Sequence, residues 1–222
     1  DDNIIDGTIS STVTVAIDDA NSDNDFDPVA DQTVTATTTD NDVAGFTIAQ
    51  TGGSTSVAET GTTDTLTVVL NAQPVSNVVL SVASSDTGES TTTSSLTFTN
   101  TNWNTAQTVT VTGVDDNIID GTISSTITIA VIDAITDDAF DAVADQTVTA
   151  TTTDNDVAGF TITQTGGTTS VAETGTTDTF TIVLNAQPAS DVVLTVTSSD
   201  TGEATVNTPL TFTSGNRNTA QS

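Results

Sequence analysis

The chain lacks cysteine, histidine and lysine altogether, and its 222 residues hold a single basic side chain, Arg217. Without cysteine there is no disulfide, no thiolate nucleophile and no thiolate-bound metal. Without histidine there is no imidazole base and no ordinary zinc site. Without lysine there is no Schiff base, no phosphate-loop lysine and no lysine–asparagine isopeptide crosslink. These absences remove a large share of enzyme mechanisms. A carboxylate pair could in principle hydrolyse a glycoside, but no substrate cleft is indicated, and the chain reads as a non-enzyme. No run is long and apolar enough to span a bilayer, and no basic, then apolar leader opens the chain.

Against that one base stand thirty acids, for a formal charge of −29. Such a chain repels itself when compact and excludes nucleic acid and anionic membranes as partners. High acidity with few aromatics is also the composition of disordered chains. Here, however, hydrophobic residues make up 34% and alternate regularly. The chemistry left to the chain is that of carboxylate, hydroxyl and amide oxygen, the ligand set of a hard cation such as Ca²⁺.

The sequence repeats itself. "DDNIIDGTIS" begins at residue 1 and again at 115, an offset of 114 residues that never slips. "ADQTVTATTTDNDVAGFTI" at 30–48 returns at 144–162, and "SVAETGTTDT" at 56–65 returns at 170–179. Most differences between the copies are conservative; the clearest exception sets Trp103 against Arg217. The frame starts and stops inside a repeat, as expected of a window on a longer tandem array.

Period-2 alternation predicts seven strands in one unit, at 45–50, 64–70, 77–84, 95–99, 107–114, 122–132 and 145–153. Gly, Asn, Asp and Pro turns separate them, and no helical period competes. The expected fold is all-β, an Ig-like seven-stranded antiparallel β-sandwich in tandem repeats. Its inward faces would carry Leu66, Val68, Leu70, Val78, Leu80, Val82, Leu96, Phe98, Val109 and Val111. Threonine fills the outward positions. The expected boundaries are 1–42 for the C-terminal part of one repeat, 43–156 for a complete repeat and 157–222 for the N-terminal part of the next.

Within 43–156 the acids gather in connections. Glu59 lies in "VAETG", Asp86 in "SSDTGE", Asp115, Asp116 and Asp120 in "VDDNIIDG", and Asp154 and Asp156 in "TTTDNDVAG". In a sandwich these connections share one pole, where unpaired carboxylates raise one another's pKa. Several Ca²⁺ ions would turn that repulsion into binding.

These segments resemble the Calx-beta domain, a Ca²⁺-binding sandwich of exchanger regulatory regions, integrin β4 and large bacterial surface proteins. The likeness is carried by "SVAETG", "LTFT…NWNTAQTVTV", "VDDNIIDG" and "TTDNDVAGF", and it covers the whole unit. It implies a ligand set of Glu59, Asp86, Asp115, Asp116, Asp120, Asp154 and Asp156, with the main-chain carbonyl of Ile118. The partial copies would contribute Asp1, Asp2, Ile4, Asp6, Asp40 and Asp42 at one end and Glu173 and Asp200 at the other. Asn155 in the closing triplet and Ile123 downstream of the loop depart from the family pattern, which implies fewer ions or weaker affinity.

Other acidic and aromatic features read more plainly. "DNDFDPVAD" at 23–31 mimics a calcium loop through Asp23, Asp25 and Asp27, but Asp25 becomes Ala139 in the second copy, so it reads as a solvated hairpin. Phe26 and Phe140 are expected to pack inward, and Trp103 to pack at a strand edge. The resulting expectation is a Ca²⁺-dependent extension module of a secreted bacterial surface, filament or matrix protein. Its partners would be neighbouring repeats and other copies of the chain. A sugar- or protein-binding adhesin and a Ca²⁺-sensing regulatory domain are the alternatives.

Overall fold

The computed structural model describes residues 2–222, and the structure is built from fifteen strands with a few single turns of 3₁₀ helix. The strands are β1 (Ile9–Val15), β2 (Gln32–Thr38), β3 (Phe46–Gln50), β4 (Thr55–Ala58), β5 (Thr63–Leu70), β6 (Val78–Ser84), β7 (Ser90–Thr92) and β8 (Ser95–Phe98). They continue as β9 (Gln107–Gly113), β10 (Ile123–Val131), β11 (Gln146–Thr153), β12 (Phe160–Gln164), β13 (Phe180–Leu184), β14 (Val192–Leu194) and β15 (Leu210–Phe212).

Strands β3 to β11 form two sheets, ordered β3-β5-β9-β7 and β4-β11-β10-β6-β8. Each strand turns alternate side chains to the space between the sheets, as a pleated backbone requires. On β5, Leu66, Val68 and Leu70 are buried while Thr65, Thr67 and Val69 are not. All ten residues expected on the inward faces are at most 5% exposed. Phe46, Val57, Ile127, Ile129, Phe140, Val148 and Ala150 complete one continuous core. This is an Ig-like β-sandwich.

Two details differ from the sequence reading. Nine strands replace the expected seven, because "TSVA" and "STT" also form β4 and β7. Both are too short to show a period, and both lie in segments that read as connections. The sandwich is also not wholly antiparallel. β4 runs parallel to β11, with Thr55 opposite Ala150 and Ala58 opposite Thr153.

The flanking segments form hairpins. β1 pairs with β2, β12 with β13, and β14 with β15. Ile182, Leu184 and Phe212 make a second, smaller core. Phe26 corrects the inward expectation: it is 56% exposed, whereas Phe140 is fully buried. Phe140 has the two sheets of the central sandwich to pack against, and β1–β2 forms a sheet of only two strands. Trp103 is partly buried against the edge of the core.

Candidate metal centre

The acidic connections meet at one end of the central sandwich, and Asp154 holds two of them together. One oxygen of its carboxylate accepts the backbone N–H groups of Asp120 (3.1 Å) and Gly121 (2.9 Å). The other accepts the N–H of Asp156 at 2.6 Å. The loop after β9 is shaped further by Asp116, whose Oδ1 accepts the N–H of Ile118 at 2.6 Å. Gly121 takes φ +77°, a left-handed conformation that costs glycine little. Asn155 adds a third tie, its side-chain amide donating to Asp115 Oδ1 at 2.9 Å. Hydrogen bonds from Gly121, Asp156 and Asp120 hold the Asp154 carboxyl below the usual carboxylate range.

Two glutamates lie beneath this loop. Glu59, 1% exposed, follows β4, and its own N–H donates to the Thr153 carbonyl at 3.1 Å. Its Oε2 accepts the N–H of Asn155, also at 3.1 Å. Glu89, 7% exposed, immediately precedes β7. Its carbonyl accepts from the Val114 N–H and the Thr152 hydroxyl, which fixes the backbone and aims the side chain inward. The Oε2 atom of Glu89 is buried with no hydrogen-bond partner. So is Oδ2 of Asp156.

Glu59, Glu89 and Asp120 bring one carboxylate oxygen each to within 4.8 Å of one another. Glu59, Asp154 and Asp156 form a second such group. Glu59 belongs to both. Burial is the main cause that raises the Glu59 carboxyl above the usual range, and Asp154, Asp116 and Asp120 add repulsion. Burial likewise raises Glu89, with Asp120, Glu59, Asp86 and Asp116 pushing in the same direction. Asp156 is raised by burial, then by Asp154, Asp115 and Asp116, and the attraction of Arg217 does not reverse this. Buried carboxylates crowded in this way are costly unless a cation or a proton joins them. Since every group is an oxygen donor, the set fits a hard divalent cation.

Most of the expected ligands therefore converge. Glu59, Asp120, Asp154 and Asp156 form the two carboxylate groups together with Glu89, and Asp115 and Asp116 lie beside them. Asp86 stands apart. It is exposed, and its Oδ1 closes a local turn by accepting the Gly88 N–H at 3.0 Å. Glu89, three residues on, is the acid of this connection that is buried and joins the carboxylate group.

The partial copies reproduce pieces of this arrangement. Asp40 accepts the N–H groups of Asp6 and Gly7 on one oxygen and of Asp42 on the other, matching Asp154, and its carboxyl is likewise held low. Asp2 accepts the Ile4 N–H at 3.1 Å, as Asp116 does for Ile118. Asp1 lies outside the described residues. Glu173 and Glu203 line one open cavity in the C-terminal segment, while Asp200 bonds Gly202 just as Asp86 bonds Gly88.

No protein-family model and no curated protein matches the chain. Among solved structures, it is similar to SSP-19, an MSP-domain-like protein of Caenorhabditis elegans, at 19% identity and TM-score 0.30, covering 46% of this chain and 92% of that one. It is similar to the E. coli chaperone DraB at 9% identity and TM-score 0.36, covering 67% and 90%. Domains 1–6 of the surface layer protein SbsC match at 20% identity and TM-score 0.35, covering 69% of this chain and 24% of that one. No helix among the described residues is long and apolar enough to cross a membrane.

Proposed function

We propose that the chain is a stretch of Calx-beta-like calcium-binding repeats, serving as a structural extension module of an extracellular bacterial surface, filament or matrix protein. The observation that carries this reading is the pair of buried glutamates, Glu59 and Glu89, converging with the exposed Asp120, with an orphaned oxygen on Glu89 and no basic side chain in the sequence between residues 1 and 216 to neutralise them. Calcium, when bound, supplies the positive charge that the chain itself lacks.

Glu59, Glu89 and Asp120 would hold one ion, and Glu59 with Asp154 and Asp156 another. Asp154 positions the loop through its three backbone bonds and leaves Asp120 free to face the glutamates. Asp116 performs a similar task for the turn at Ile118. Since the loop, the closing segment and the turn after β4 lie far apart in sequence, a ligand joining them stabilises only the folded state.

Thermal unfolding of the 222-residue chain with Ca²⁺ and with a chelator tests the proposal. A ligand at a hundred times its Kd adds about 2.7 kcal/mol of stability, so melting should rise by several degrees in Ca²⁺. An unchanged melting temperature would overturn the calcium reading.

A further inference from the structure

We infer that Ile119 is a plug by which one repeat docks into an apolar socket of the next, and that the Asn–Ile–Ile turn and the Asn–Ala–Gln–Pro turn are the two faces of a repeat-to-repeat interface.

The same contact occurs twice, 114 residues apart in sequence. The N–H of Gln73 donates to the Asn3 carbonyl at 2.6 Å, and the N–H of Gln187 donates to the Asn117 carbonyl at 2.7 Å. In both places the next residue forms an isolated parallel bridge, Ile4 with Gln73 and Ile118 with Gln187. The second isoleucine of each turn then enters the following unit. Ile5 packs against the core of the central sandwich. Ile119 lines a cavity with Phe160, Leu184, Ala186, Val192 and Leu194.

Each feature has a physical cause. Proline follows the glutamine in both copies, at Pro74 and Pro188, and confines the glutamine to extended backbone. Extended backbone is what a parallel bridge requires. The Gln73 side chain is tied down as well, donating to the Asn100 carbonyl at 2.8 Å. On the other face, Asp116 folds the turn and presents the Asn117 carbonyl outward. An aliphatic side chain can fill the socket, whereas a carboxylate there would be desolvated beside other acids.

The plug is at the acidic pole of a unit and the socket is on the unit that follows. The contact is heterologous, so it extends a chain without closing it. The partner that fits the socket is thus the preceding copy of the same unit.

The absence of cysteine makes the test direct. Ser94→Cys in the central unit and Thr201→Cys in the next, both exposed positions, would carry spin labels in the 222-residue chain. Their distance distribution should be narrow. Ile119→Ser should broaden it at least about twofold, with little change in melting temperature because Ile119 is already 46% exposed. Ile119→Val should restore the narrow distribution, and Ile135→Ser, at a site 62% exposed, should leave it unchanged. A distribution unaltered by Ile119→Ser would overturn the inference, as would one equally broad in Ile119→Val.

Discussion

The Oε2 atom of Glu59 accepts the backbone N–H of Asn155 at 3.1 Å, across 96 residues of chain. Through this bond a buried carboxylate fastens the turn after β4 to the segment that follows β11. The same carboxylate is crowded by Glu89 and the loop aspartates, so one residue both secures the fold and stores repulsion.

Replacing Glu59 with Gln separates these roles, since the amide oxygen can still accept from Asn155. Without calcium, Glu59→Gln should stabilise the chain by about 1–3 kcal/mol, because it removes a buried charge that the neighbouring carboxylates repel. With calcium, the gain in melting temperature seen for the parent should largely vanish. Calorimetry with calcium and with chelator measures both effects.

The glutamates also set a pH dependence. Glu59 and Glu89 have raised carboxyls in the folded state, so the fold binds more protons than the unfolded chain above the ordinary glutamate range. Their contribution is fully favourable below the unfolded pKa of 4.5 and is lost as pH rises through the folded values. Calcium-free chain should therefore gain stability on going from pH 7 to pH 5. Calcium requires the deprotonated carboxylates, so its added stability should shrink over the same interval. Asp154 has the opposite sign: its carboxyl is held low, and its contribution is lost only as pH falls below the ordinary aspartate range. Melting curves across pH, with and without calcium, should converge toward the acid side.

Gly113 ends β9 against the backbone of Ala58, the residue before Glu59. A Cβ at this position would fall on the Ala58 carbonyl oxygen, and no flexible side chain is there to move. Gly113→Ala should cost about 1–3 kcal/mol, as overpacking does, and should weaken calcium binding by shifting Glu59. Denaturant unfolding and calcium titration would show the two losses together.

Phe140 and Phe26 occupy matching places in the repeat but opposite environments. Phe140→Ala should destabilise by about 3–5 kcal/mol, the range for truncating a buried aromatic. Phe26→Ala should fall within about 0.5 kcal/mol of the parent, as surface changes do. Equal effects would show that the β1–β2 hairpin buries Phe26 in solution.

The sandwich was legible because alternation is a property of single strands. The ten inward residues could be assigned from period 2 without knowing which strand pairs with which, and all ten are buried. Pairing itself leaves no such mark, so the parallel match of β4 to β11 was not visible in "TSVA". Most acidic positions were found from their loops. Glu89 was not, because turn chemistry decides between it and Asp86. The Asp86–Gly88 turn leaves the aspartate in solvent and returns the chain to the sheet at Glu89, whose longer side chain reaches inward. A signal did exist: Glu89 persists as Glu203, although Ser90 and Thr92 through Ser95 all change between the copies.

The parallel pairing of β4 with β11 gives the unit a mechanical character. The chain enters the sandwich through β3, which pairs with β5, passes directly into β4 and leaves after β11, so tension that reaches β4 and β11 pulls these two strands along their own length in opposite directions. Four matched positions, from Thr55–Ala150 to Ala58–Thr153, bear that load simultaneously as shear. The Glu59–Thr153 and Asn155–Glu59 hydrogen bonds extend the same seam by one further step. A strand pair peeled from one end breaks a rung at a time, but this one must slide as a whole. The clustered carboxylates stand at the end of that seam, where a shared cation would act as a rivet against pulling.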